Sequence, residues 1–208
     1  MGRKIIVLSP HTDDGELGCG ATLAKAISKG DEVFYLAFTG AERSVPEGYP
    51  SNILRLEAKE STRVLGIKAD NVEILSYPVR EFNAYRQEIL EDLVRMNKQV
   101  NPNLVFIPSL RDRHQDHQVI ANEGLRAFKS ASILSYELPW NNIDFAAHSF
   151  MEVDEKLLRQ KMESLSCYKS QSHRPYMTET FINGWASMRG VQCGKTYAEA
   201  FEVLRIYL

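Results

Sequence analysis

Five short runs of apolar, mostly branched residues recur along the chain: Ile5 to Leu8, Val33 to Phe38, Val72 to Leu75, Leu104 to Ile107 and Ile133 to Tyr136. Runs that are apolar at nearly every position suit strands buried on both faces, as in a parallel sheet, whereas a half-exposed strand alternates polar and apolar residues. Segments of helical length separate most of the runs and supply the right-handed crossovers that parallel strands require. The spacing predicts an α/β fold.

The first helix is expected over Leu17 to Ser28, where Leu17, Ala21, Leu23, Ala24 and Ile27 form an inward face and Gly30 ends it. A second is expected near Asn52 to Leu65, stopped by Gly66, and a third over Ala84 to Val100, ended by Asn101-Pro102-Asn103. A fourth runs from His117 to Phe128. Beyond Pro139 the alternation weakens. Ser149 to Val153 reads as a strand, Asp154 to Ser166 as a helix capped by Asp154, Lys169 to Pro175 as a loop and Tyr176 to Met188 as a helix. Glu199 to Tyr207 fits either strand or helix.

No internal repeat or linker interrupts the 208 residues, which read as one domain over 1–208, long enough to bury about 70% of the surface of the unfolded chain. Cys19, Cys167 and Cys193 are odd in number and lack a CxxC pair, which argues against a disulfide framework and for a cytoplasmic location. A net charge of −2, from 25 basic and 27 acidic residues, gives no footprint for nucleic acid. The first apolar run ends at Ser9-Pro10, too short for a signal core or membrane insertion. A small-molecule substrate fits best.

Two motifs carry chemistry. Pro10-His11-Thr12-Asp13-Asp14-Gly15-Glu16 follows the first apolar run, and Arg113-His114-Gln115-Asp116-His117 follows the fourth. In open α/β sheets ligands bind beyond the carboxyl ends of the strands where strand order reverses, so loops about a hundred residues apart can share one crevice. Histidine with carboxylate is the donor set of catalytic zinc, which keeps a position open for water. Asp13-Asp14 alone would equally suit helix capping, and His114 and His117 face one site only if a helix or turn starts there. The company of His11 and the second motif favours a metal site.

Other features are weaker. Gly15-Glu16-Leu17-Gly18-Cys19-Gly20 resembles part of a dinucleotide fingerprint but lacks its order and its acidic ribose partner, so close helix–sheet packing explains the glycines as well. Glu42 and Arg43 after the second strand, and Arg80 after the third, stand where loops bind substrate. Trp140, Tyr136 and Tyr85 offer sugar-stacking rings, with core packing the competing explanation.

With its two motifs, the chain resembles the LmbE-like, or PIG-L-type, zinc-dependent N-deacetylases nearly end to end. Pro10 to Glu16 is similar to the family's PHPDDxE element and Asp112 to His117 to its HPDH element. Thr12 and Gln115 stand where the family has proline. Lesser matches lie at Lys169-Ser170-Gln171 and Tyr197 to Phe201. The resemblance implies a three-layer α/β sandwich with a mostly parallel, Rossmann-like sheet. It implies that His11, Asp14 and His117 hold zinc or another divalent ion, that Asp13 is the general base, and that a protonated His114 stabilises the oxyanion. Asp116 is then expected to orient the His114 ring and raise its pKa. Arg55 lies about one position from the family's substrate-binding arginine. Family substrates imply hydrolysis of an N-acetylglucosamine-type conjugate to amine and acetate, by a protein that forms a homo-oligomer. A metal-dependent O-acetyl esterase or another amidase is the alternative enzyme, and a non-catalytic nucleotide- or sugar-binding module the alternative without turnover.

Overall fold

In β1 (Lys4–Ser9) neighbouring side chains enter different cores, which is why the run is apolar throughout. Ile5 and Val7 pack with Leu17 and Leu23 on one face of the sheet, and Ile6 and Leu8 with Ile89, Leu93 and Ile120 on the other. The computed structural model describes residues 2–207. Four further strands run parallel to β1: β2 (Glu32–Ala37), β3 (Val72–Ile74), β4 (Leu104–Pro108) and β5 (Ser132–Tyr136). With β6 (Ser149–Val153) and β7 (Tyr197–Arg205) they form one seven-stranded sheet in the order β3-β2-β1-β4-β5-β7-β6.

Helices α1 (Asp14–Ser28), α2 (Ile53–Leu65), α5 (Glu155–Leu165) and α6 (Glu179–Gln192) lie with the first core, and α3 (Arg86–Val100) and α4 (Gln115–Ala127) with the second. The result is the expected α/β sandwich with a mostly parallel sheet. Strand order reverses between β1 and β4, which are direct neighbours, so the loops after them open side by side. Among the described residues no helix is long and apolar enough to cross a membrane, and all three cysteines are free.

The ambiguous C-terminal segment is β7, antiparallel to both β5 and β6. Its run from Ala198 to Glu202 is buried throughout, so no exposed alternation marks it as a strand. The buried acids are satisfied: Glu202 accepts from Ser109 Oγ at 2.8 Å and Ser135 Oγ at 3.0 Å. Glu199 explains a second departure. Helix α1 kinks at Cys19 (φ −149°), and the freed N–H groups of Ala21 and Thr22 donate to the Glu199 carboxylate at 3.2 and 2.7 Å. Lys161 pairs with Glu199 at 2.6 Å and donates to the Leu17 carbonyl at 2.6 Å.

The glycine-rich start of α1 is therefore no phosphate cradle: the donors exposed at the kink are used by the protein's own carboxylate. A Cβ on Gly18 would lie 2.2 Å from Tyr136 Cδ2, so that glycine serves close helix–sheet packing. Helix α6 starts three residues later than expected, because Thr178 caps it, accepting from the Phe181 N–H at 3.4 Å, while Pro175–Met177 forms a separate 3-10 turn.

Candidate metal centre

The loop after β1 turns back on itself before α1. Asp14 Oδ2 accepts the backbone N–H of His11 at 2.8 Å, and Ser9 Oγ accepts that of Gly15 at 2.9 Å. Beneath it lies a buried polar network in which the Tyr35 and Tyr168 hydroxyls each sit within hydrogen-bond reach of Glu16 and of the Thr12 carbonyl, and Ser61 donates to Glu16 at 2.8 Å. Burial pushes the Glu16 carboxyl up to about 7 despite these donors. Asp13 stands at the N-cap position of α1, yet its side chain makes no capping bond. It is left to face the cavity.

His11 Nδ1, Asp14 Oδ2 and His117 Nε2 form a nearly equilateral triangle, with separations of 3.1, 3.1 and 3.2 Å. A tetrahedral zinc ion with ligands at about 2.0–2.1 Å would space its donors by about 3.3 Å. The fit is close. Behind each imidazole lies a buried carboxylate: Asp116 Oδ2 is 3.2 Å from His11 Nε2, and Asp112 Oδ2 is 2.7 Å from His117 Nδ1. Such outer carboxylates fix the tautomer and orientation of metal-binding histidines.

The charges agree with a cation site. Burial works to lower the pKa of both rings, but the Asp14 charge and the carboxylate hydrogen bonds override it, raising His11 to about 9 and His117 to about 10. Burial likewise opposes ionisation of Asp14, and the two histidines hold it well below the carboxylate range. Asp13 is raised to about 6, first by burial and then by the Asp14 charge.

His114 differs from the expectation in two ways. It is the N-cap of α4, with Nδ1 accepting the Asp116 backbone N–H at 3.2 Å. An accepting Nδ1 leaves the proton of the neutral ring on Nε2. The Asp116 carboxylate does not orient this ring, because residues two apart at a helix start face different ways. It meets His11 and accepts the Arg80 N–H at 2.6 Å and the Phe82 N–H at 3.4 Å. The His114 pKa is not raised either: burial, and then the charges of His11 and His117, lower it to about 4. The ring still belongs to the cluster, with nitrogens of His11, His114 and His117 within 4.8 Å of one another.

A cavity of about 330 Å³ opens beside the triangle, within the range of small-molecule sites. Of the four residues expected to bind substrate, Arg80 lines it; Glu42, Arg43 and Arg55 do not. Arg55 clamps the end of β3, donating to the carbonyls of Ile74 and Leu75 at 2.8 and 2.7 Å and pairing with Glu42 at 2.6 Å. Arg43 pairs with Glu81 at the surface. Trp140 lines the cavity, stacked on Tyr176 with centroids 4.0 Å apart. Tyr136 is fully buried and donates to the Leu8 carbonyl, and Tyr85 packs on Tyr77. Sequence reasoning missed Asp112, Arg174 and Tyr176. Asp112 had a signal in its place directly before the histidine motif.

The family described as GlcNAc-PI de-N-acetylase (PIG-L) matches residues 6–128, more than half of the chain and both motifs. The chain belongs to this family. Over 142 residues this PIG-L family member is 27% identical to the diacetylchitobiose deacetylase of Thermococcus kodakarensis, covering 64% of this chain and 52% of that protein, so it spans about half the length of that relative. It is 26% identical to the uncharacterized deacetylase YaiS of Escherichia coli, over 81% of this chain and 91% of that one. Among solved structures it is similar to the conserved protein TT1542 of Thermus thermophilus, with a TM-score of 0.83, 27% identity and coverage of 99% and 97%. The N,N'-diacetylchitobiose deacetylase of Pyrococcus horikoshii (TM-score 0.83, 22% identity, coverage 97% and 84%) shares the fold. So does the hydratase GalB of Pseudomonas putida (0.82, 19%, coverage 99% and 98%), so the PIG-L fold does not by itself dictate the reaction.

Proposed function

We propose that this PIG-L family protein is a zinc-dependent hydrolase that removes the acetyl group from an N-acetylglucosamine-type sugar conjugate, giving free amine and acetate. The donor triangle of His11, Asp14 and His117, open to a cavity that Asp13 also lines, carries this reading. A divalent ion held there supplies Lewis acidity toward a carbonyl oxygen and acidifies water. Asp13 takes a proton from the attacking water as its oxygen bonds to the acetamide carbon. His114, with its proton on Nε2, donates a hydrogen bond to the oxygen that becomes negative. Asp13 then returns the proton to the nitrogen as the C–N bond breaks. Asp112 and Asp116 keep the two ligand rings in place, and the Trp140 ring offers a face for a sugar.

Metal analysis together with acetate release from a panel of N-acetylglucosamine conjugates tests the reading. About one ion per chain and chelator-sensitive release of amine are expected. Absence of turnover on every conjugate, or faster release from an O-acetyl ester analogue of the same sugar, would replace the deacetylase assignment.

A further inference from the structure

The Asp13 carboxylate makes no capping bond to α1, and the histidines beside it pair with Asp14 instead. Where it points is therefore set by its backbone. The peptide that leads into Asp13 carries the Thr12 carbonyl, and because a peptide is planar, fixing that oxygen fixes the direction in which the chain enters Asp13. Thr12 is buried below the loop, and the Tyr168 hydroxyl lies 2.5 Å from its carbonyl oxygen.

Tyr168 has one proton and two acceptors in reach, the Thr12 carbonyl at 2.5 Å and Glu16 Oε1 at 2.9 Å, and the nearer contact directs the donation to the carbonyl. The Tyr35 hydroxyl stands further from that oxygen, at 2.9 Å, and lies closer to Ser9 Oγ, at 2.7 Å, and to Glu16. Tyr168 is itself held firmly. It is buried in a cluster with Leu54, Ala58 and Val79, and its N–H donates to the Leu165 carbonyl at 3.1 Å. Two residues on, Ser170 donates its N–H and its hydroxyl to the buried Glu57 carboxylate of α2, at 2.9 and 2.5 Å. That clamp gives Lys169-Ser170-Gln171 a physical role, since it fastens the turn after Tyr168 to α2. Tyr168 does not line the cavity.

We infer that Tyr168 is a positioning residue for the reaction: its hydroxyl holds the Thr12 carbonyl from the side away from the cavity and so aims the Asp13 carboxylate toward the donor triangle, without touching substrate. The inference rests on the reading of Asp13 as the base and assigns the side chain that orients it. Phenylalanine in place of Tyr168 fills the same space but leaves the carbonyl free to turn, so the base is misaimed in an otherwise intact site. A misplacement of about 1 Å at a reacting group can cost on the order of 10²-fold in rate.

Tyr168→Phe tests this with two readouts. In a crystal structure of the zinc-loaded variant the Asp13 carboxylate should be displaced by about 1 Å, while His11, Asp14 and His117 keep their triangle. With the methyl glycoside of N-acetylglucosamine and N,N'-diacetylchitobiose as probes, kcat should fall by about 10–100-fold, with KM and zinc affinity changed less than about two-fold. Added to Asp13→Asn, the same substitution should slow the residual reaction no further, because the group it aims is gone, whereas a general loosening of the fold would slow both proteins alike. An Asp13 carboxylate that has not moved, or an equal loss of rate in the Asp13→Asn background, would overturn the inference. The two readings fail separately. Normal deacetylation by Tyr168→Phe sinks this one alone, and absence of turnover by the unsubstituted protein on every conjugate sinks the deacetylase assignment and leaves the crystal structure to decide what Tyr168 does.

Discussion

Asp112 Oδ2 lies 2.7 Å from His117 Nδ1, while Oδ1 of the same carboxylate accepts the backbone N–H of His114 at 2.8 Å. One buried side chain thus sets the ring of one histidine and the chain position of another. Asp112→Asn, which keeps the shape and loses the charge, is expected to weaken zinc binding by about 10–100-fold. Competition with a chromophoric chelator measures it, and an unchanged affinity would reduce Asp112 to a role in the loop alone.

Asp13→Asn should retain the metal and lower kcat by about 10²–10⁴-fold, because the donor triangle is intact and the base is gone. In the unsubstituted protein Asp13 must be ionised to accept a proton. Burial and the Asp14 charge raise its carboxyl in the metal-free protein, so kcat/KM should climb on an ascending limb as that carboxyl ionises. A variant that loses metal and activity together would make Asp13 a ligand.

Glu16 binds its proton more tightly in the folded protein, at about 7, than in the unfolded chain, at 4.5. The folded state therefore holds more protons on Glu16 between these values, so its contribution to stability is full below about pH 4.5 and falls as pH rises to about 7, by on the order of 3 kcal/mol. Urea unfolding of the metal-free protein across this window should show the fall. Glu16→Gln should reduce it, leaving the share of Asp13, whose carboxyl is also raised.

Arg55 binds the chain's own backbone, so its loss is expected to appear in stability. Arg55→Met should cost about 1–3 kcal/mol, the scale of charged hydrogen bonds at a partly buried site. The KM for the N-acetylated conjugate should change less than two-fold. A large rise in KM with an unaltered melting temperature would return Arg55 to the substrate site.

The parallel half of the sheet was readable because strands covered on both faces are apolar at successive positions, as Ile5 to Leu8 are. The C-terminal strand was not, since Glu199 and Glu202 are buried and their partners, the kink of α1 and the serines of β4 and β5, are distant in sequence. His11, Asp14 and His117 could be named from their motifs because each motif closes a strand. The partner of Asp116 could not: which way a carboxylate turns at a helix start depends on where the loop after β3 arrives with its N–H groups. Glu42, Arg43 and Arg55 lie outside the cavity lining for a related reason, as a charged residue at a strand end serves its neighbours as readily as a ligand.

His11 and His117 stand 106 positions apart, yet their nitrogens are 3.1 Å apart because β1 and β4 are neighbours. An unfolded chain offers an ion only scattered single ligands, so the complete triad exists only after the middle of the sheet has zipped. Ion binding at the proposed site would consequently act as a clip across the two halves of the domain, so the melting point should rise with free ion concentration and loading should read out native chain pairing.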